Sequence, residues 1–292
     1  MNDMTPAHAS ACPFSAAAKQ WNPWDSQFIR DPWPTLAQIQ EEQPVFYNPE
    51  IDYWVVTKYA DVRKCFLDNK TFTADLAIEP IVPLYESTIK KFIASGFSDG
   101  PVLVNEQPPT HKSHRTRLQR QFEPAKLREL EPFVRRTVNE YIDRFVKSGR
   151  ADLMKDFIYD IPALVVFKLL GVPEEELQNV KHWAGPAALF SWGRPTEAEQ
   201  NEMADALGAY WKWSQEFVAQ KKQNLGDDFI SDAIRGQMEE GEEEWPDDYL
   251  VRLCLNFTFA GHETTTNASG NAVMNLLKQR ENWEALVTIR RR

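Results

Sequence analysis

Glu263 and Thr264 stand side by side in the stretch Ala260-Gly261-His262-Glu263-Thr264-Thr265-Thr266-Asn267. An acid beside an alcohol can move protons: the hydroxyl holds a water by hydrogen bonding, and the carboxylate relays protons from solvent. The segment carrying them is a poor helix inside a good one. From about Asp247 to Leu277, apolar side chains recur at helical spacing through Tyr249, Leu253, Phe257, Ala260, Val273, Met274 and Leu277. Gly261 interrupts that helix, at about 1 kcal/mol relative to alanine. Three threonines follow, stiff at χ1 and able to bond preceding carbonyls. A helix of this kind is expected to bend and to expose backbone to a ligand or water. Its face through Phe257, Ala260, Gly261, Thr264 and Ala268 narrows to small residues, so a flat or bulky body can lie against it. The plainer alternative is a kinked core helix with a small-residue packing seam.

A second constellation lies in QPPTHKSHRTRLQRQFEP, residues 107–124. At helical spacing His111, Arg115, Leu118 and Phe122 share one face, an imidazole and a guanidinium beside two apolar anchors. That face suits a ligand with an apolar body and two carboxylates at one edge, because arginine offers charge-assisted donors to carboxylate oxygens. A basic surface helix whose His–Arg pair makes salt bridges would carry the same residues. Lys112, His114, Arg117 and Arg120 fall on other faces, either as a positive patch for an acidic electron-transfer partner or as solvated charge. Metal-site patterns fail here. His262-Glu263 lacks the second histidine of a zinc-protease helix, and His111 with His114 has no further ligand at suitable spacing.

The elements that position these residues are mostly helical. At 292 residues and 42% hydrophobic content the chain can bury a large core. Twelve glycines are few, and long stretches lack strand alternation. Residues 1–30 read as an irregular N-terminal arm. A short helix is expected over 34–42, a β-hairpin over 45–57 and a helix over 59–67. Residues 70–107 read as irregular, a long connection of the kind that is usually functional or mobile. Helical patterns then cover 111–122, 126–147, 157–170, 174–189, 197–222, 227–239 and 247–278. The acidic run Glu239 to Glu244 reads as a solvated loop. No Gly-x-Gly-x-x-Gly follows a strand, which excludes a dinucleotide-binding Rossmann enzyme.

Charge and cysteine usage narrow the setting. A formal net charge of −10 argues against nucleic acid as a partner. No apolar run reaches membrane-spanning length, and no secretory signal is visible. Cys12, Cys65 and Cys254 are odd in number and far apart, which fits a reducing compartment without disulfides. A cytoplasmic protein is expected.

Ala-Gly-x-Glu-Thr-Thr within a long helix resembles the distal, oxygen-binding helix of the cytochrome P450 haem-thiolate monooxygenases. Residues 107–124 resemble that family's haem-propionate helix, and PVFYNPEIDYWVVTKYADVRKCF resembles the opening of its soluble bacterial members. The resemblance implies a mainly α fold with a small β-sheet and haem b as cofactor. It implies insertion of one atom of O2 into a small organic substrate. Electrons would come from NAD(P)H through an iron–sulfur and flavin partner, either a ferredoxin with its reductase or a fused reductase domain. It assigns proton delivery to Glu263 and Thr264, the propionates to His111 and Arg115, and the haem-facing surface to Ala260 and Gly261. Residues 183–200, WAGPAALFSWGRPTEAEQ, are similar to haem domains of self-sufficient bacterial enzymes fused to an FMN and iron–sulfur reductase.

Two family motifs are missing from this sequence. No arginine has a glutamate three positions before it, and no cysteine has the Gly-rich surroundings of the haem ligand. Residues 1–292 are therefore expected to be a single, C-terminally incomplete haem domain, inactive by itself and without the iron-binding cysteine. A non-catalytic helical module that binds haem or an apolar ligand, or a non-functional truncated product, are the rival readings.

Overall fold

The computed structural model describes residues 16–185, 187–237 and 245–289. Three short helices, α1 (Ala16–Gln20), α2 (Ser26–Arg30) and α3 (Trp33–Glu42), precede strands β1 (Val45–Asn48) and β2 (Tyr53–Val56). These strands pair antiparallel, with Val45 opposite Val56 and Asn48 opposite Tyr53. Then come α4 (Tyr59–Leu67), α5 (Glu86–Ser95), α6 (Thr110–Gln119), α7 (Pro124–Glu129), α8 (Glu131–Phe145) and α9 (Asp160–Leu170). The rest is α10 (Leu177–Ala184), α11 (Ala187–Trp192), α12 (Glu197–Gln223), α13 (Phe229–Gln237), α14 (Asp247–Lys278) and α15 (Arg280–Ile289). A mainly helical fold with one small sheet is what the sequence led us to expect.

Four local expectations need correction. The described part of the N-terminal arm is not irregular but forms α1 and α2. Asp25 starts α2, its carboxylate accepting from the backbone N–H groups of Gln27 and Phe28 at 2.9 Å, which satisfies donors a helix start leaves open. Residues 70–107 contain α5, whose Thr88 is fully buried and whose Lys91 pairs with Asp205 of α12. The pattern over 126–147 divides at Leu130 into α7 and α8, with Pro132 in the first turn of the second helix. Beyond the long helix, α15 is a further element that the sequence reading did not anticipate. Cys12 and the acidic run 239–244 lie outside the described residues.

The first half of α14 is the centre of the core. Leu250, Val251, Leu253 and Cys254 are at most 1% exposed, enclosed by α9 and α12. Tyr210 and Trp211 of α12 are buried against it, with the Tyr210 hydroxyl 2.7 Å from Thr258 Oγ1. The Thr258 hydroxyl in turn donates to the Cys254 carbonyl at 2.9 Å. The second half emerges from the core, and Met274 and Leu277 are about half exposed.

Burial weights several titratable groups toward their neutral forms. It pushes the Tyr141 phenol up to about 12, assisted by a 2.8 Å hydrogen bond to Asp160. It pushes the Cys254 thiol up to about 12 as well, and raises the Tyr210 and Tyr249 phenols from their ordinary value of 10.0. A raised pKa gives stability that is present below the unfolded value and lost as pH climbs through the folded one. Thermal stability should therefore hold to about pH 9 and fall steadily above it. In melts followed by circular dichroism, Tyr141→Phe should make that alkaline fall shallower; an unchanged slope would exclude Tyr141 as a contributor.

Candidate functional site

The helix α14 runs through Gly261 and the threonines without interruption, and most of its irregular residues are accounted for by their contacts. Thr264 Oγ1 donates to the Ala260 carbonyl at 2.7 Å. Thr266 turns into the core at 2% exposure. His262, which the sequence reading passed over, is also buried, its Nε2 donating to the Tyr159 carbonyl at 2.8 Å. Gly261 is explained by helix packing: a Cβ there would lie 2.4 Å from Val166 Cγ2 of α9. It turns toward that neighbour, away from Ala260, Thr264 and Ala268, which form an exposed shelf of small residues.

Glu263 borders the shelf, half-buried, its Oε1 accepting from Asn267 Nδ2 at 3.1 Å. Burial raises the Tyr159 phenol, and the nearby Glu263 carboxylate raises it further.

Helix α6 is clasped to α14 by aromatic packing. Just past its end, the Phe122 ring stacks on Phe257 at 5.8 Å and 12°, and Phe229 closes on Phe257 at 4.2 Å. Phe257 lies one turn before Ala260, and Phe122 two turns after Arg115. His111 and Arg115 thus precede the clasp along α6, and Ala260 and Thr264 follow it along α14. His111 is half-buried and Arg115 exposed. Neither side chain makes a hydrogen bond or ion pair among the described residues.

The other basic residues of α6 are not one surface patch. His114 Nδ1 lies 2.8 Å from Glu106 Oε1, and its ring packs between Trp245 and Tyr249. Arg117 is buried, its Cζ 4.2 Å from the centre of the Trp245 ring. Only Lys112 and Arg120 are exposed. These pairings bind α6 to the start of α14, and Trp245, far away in sequence, is the partner that spacing within α6 could not reveal.

An apolar cavity of about 340 Å³ adjoins the site. Ile78, Ile89, Phe92 and Phe97 cap it from one side, and Ala187 and Phe190 from another, so the connection over 70–107 and the helix α11 both contribute to its roof. Its wall on α14 is Arg252, Leu255, Asn256 and Phe259, a stripe that continues at helical spacing to Glu263. Sequence reasoning missed Arg252, whose signal was a single charge in the mostly apolar run from Tyr249 to Gly261.

The arrangement fits a flat apolar body with two acidic groups at one edge. Its face would lie on the shelf and its acids beside the imidazole and guanidinium, which have no partner among the described residues. Among the described residues no cysteine supplies a thiolate to this site. Cys254 is buried in the core as a neutral thiol, and Cys65 is on α4, outside these elements. Among the described residues, no group of three or more His, Cys, Asp or Glu could hold a metal ion.

The packing role of Gly261 is open to measurement. Gly261→Ala gains about 1 kcal/mol of helix propensity but forces an overlap that typically costs about 1–3 kcal/mol. In urea unfolding, Val166→Ala should recover much of any loss caused by Gly261→Ala. Strictly additive effects would show that the two residues do not press on each other.

A family model described as cytochrome P450 matches residues 52–287. The chain is 27% identical over 272 residues to cytochrome P450 107B1 of Saccharopolyspora erythraea, covering 90% of this chain and 63% of that one. It superposes on an intact type IV self-sufficient cytochrome P450 monooxygenase with a TM-score of 0.89 and 35% identity, covering 95% of this chain and 36% of that one. On the P450 heme domain of Tepidiphilus thermophilus the TM-score is 0.86 at 28% identity, with 91% and 64% covered. The chain spans 61–66% of the length of four curated relatives it matches.

Proposed function

Because the chain belongs to the cytochrome P450 family, we propose that it forms part of a haem-dependent monooxygenase that inserts one atom of O2 into a small organic substrate. The observation that carries this reading is the unpaired His111–Arg115 face, clasped through Phe122 and Phe257 to an open small-residue shelf beside an apolar cavity. Haem, when bound, supplies the oxygen and electron chemistry. The remaining work belongs to this chain. His111 and Arg115 hold the two propionates, Ala260 leaves room for the ring, and the capped cavity keeps water from the substrate.

Thr264 and Glu263 deliver protons. In the observed geometry the Thr264 hydroxyl gives its proton to the Ala260 carbonyl, so its lone pairs are available to accept from a water. Glu263, half-buried at the shelf edge, connects that water to solvent. Electrons reach the site from NAD(P)H through flavin and iron–sulfur carriers, fused or separate. The superposition on an intact self-sufficient monooxygenase supports the fused arrangement.

Two substitutions separate these roles. Unpairing a desolvated charged group costs several kcal/mol, so Arg115→Ala should lower haem occupancy well below that of Lys112→Ala. Equal occupancy in purified proteins would count against the propionate assignment. In the complete enzyme with its reductase, Thr264→Ala should leave reductant consumption near normal while product yield per reductant falls about tenfold or more. Unchanged coupling would remove Thr264 from proton delivery. For residues 1–292 carrying Cys12→Ser, the remaining Cys65 and Cys254 lie off the shelf, so the haem-reconstituted, reduced chain under carbon monoxide should lack the long-wavelength thiolate band; its presence would overturn that placement.

A further inference from the structure

Arg252 is a cation that nothing among the described residues neutralises. Its neighbours Val251, Leu253 and Cys254 are core residues, while its own side chain turns to the cavity. It makes no hydrogen bond or ion pair among the described residues, and its Nε is buried without a partner. A donor taken from water without an acceptor is costly, more so when charged. Gly100 makes the position accessible. A Cβ there would lie 3.2 Å from Arg252 Cζ, so the guanidinium packs against bare backbone of the cavity's roof.

The surrounding charges leave this cation unsatisfied. Glu79 and Asp99 also border the cavity, but both are exposed and belong to its solvent rim, where water and salt screen them. Asp99 accepts from the Gly100 backbone N–H at 2.8 Å. Glu106 is engaged through Oε1 by His114 at 2.8 Å and makes no ion pair with Arg252. One turn along α14, Asn256 adds an amide to the same wall and makes no hydrogen bond among the described residues. Most of the remaining lining is aliphatic or aromatic.

An apolar chamber with a single uncompensated guanidinium and an amide on one wall complements a molecule with an apolar body and one anionic head. We propose that the cavity selects substrates bearing an anionic oxygen head group, a carboxylate or a phosphate monoester. Arg252 anchors that group through charge-assisted hydrogen bonds, with Asn256 as a second donor. This deepens the monooxygenase reading and rests on it. Thr264 lies about 18 Å further along the helix axis at 1.5 Å per residue. Anchoring at Arg252 therefore directs oxidation to the part of the body remote from the charge.

The test is calorimetric titration of the 292-residue chain with octanoate, octyl phosphate, 1-octanol and octylamine, which share a body and differ in head group. At least one anion should bind about tenfold or more tightly than the alcohol, with the amine weakest. The tighter anion identifies the head group. Raising salt should weaken that anion and spare the alcohol, a comparison that needs no variant. Arg252→Gln, with its fold checked by circular dichroism, should bring the anion to the alcohol's affinity and leave the alcohol within about twofold. Saturable alcohol binding with no anion preference, or a preference that survives Arg252→Gln, would overturn the Arg252 assignment and leave the cavity reading intact. No saturable binding by any of the four would overturn both.

Discussion

The rotation of α14 about its own axis determines what every other functional element can do. Burial of Leu250, Val251, Leu253 and Cys254 sets that rotation for the first half of the helix. The fit of Gly261 against Val166 then carries it past the edge of the core, since a side chain at 261 would separate α9 from α14. With those faces committed, Ala260, Thr264 and Ala268 are left to solvent, and Arg252, Asn256 and Phe259 are left to the cavity. One helix thus presents both an exposed shelf of small residues and one wall of the cavity. Close-packed interiors allow little slippage, so that division is stable.

Charge tells the functional surfaces from the structural ones. Cations inside the fold are mostly matched: Lys221 lies 2.6 Å from Asp228, Lys181 lies 2.9 Å from Asp160, and Arg117 covers the Trp245 ring. The last of these contacts ties elements together across a long sequence separation. His111, Arg115 and Arg252 depart from that pattern in a chain whose net charge is −10. In so acidic a protein a partner carboxylate would be easy to place. Among the described residues none makes an ion pair at either place.

The small elements were harder to read than the long ones, for identifiable reasons. Helix α2 is five residues long and depends on the Asp25 cap, and α5 is held by Thr88 and Lys91 reaching α12. Periodicity over ten residues or fewer carries little weight against the prolines and glycines that flank it. His114 and Arg117 were misplaced because a helical wheel reports which residues share a face, not what lies opposite. Their partners, Glu106, Trp245 and Tyr249, arrive from outside α6.

From sequence alone came the mainly helical class, the hairpin, the extent of α14, the His111–Arg115 face and the Glu263–Thr264 pair. Each of these is written in local spacing, and periods of 3.6 and 2 survive without knowledge of neighbours. Only the tertiary structure decided that Gly261 belongs to helix packing, that His262 and Thr266 are core residues, and that Arg252 faces a cavity. Those outcomes depend on which segment is pressed against each face. Val166, Tyr159 and Gly100 are the deciding neighbours, and all three are far from α14 in sequence. Contacts made at such separations are set by the packing of whole helices, for which the local pattern of residues carries no record.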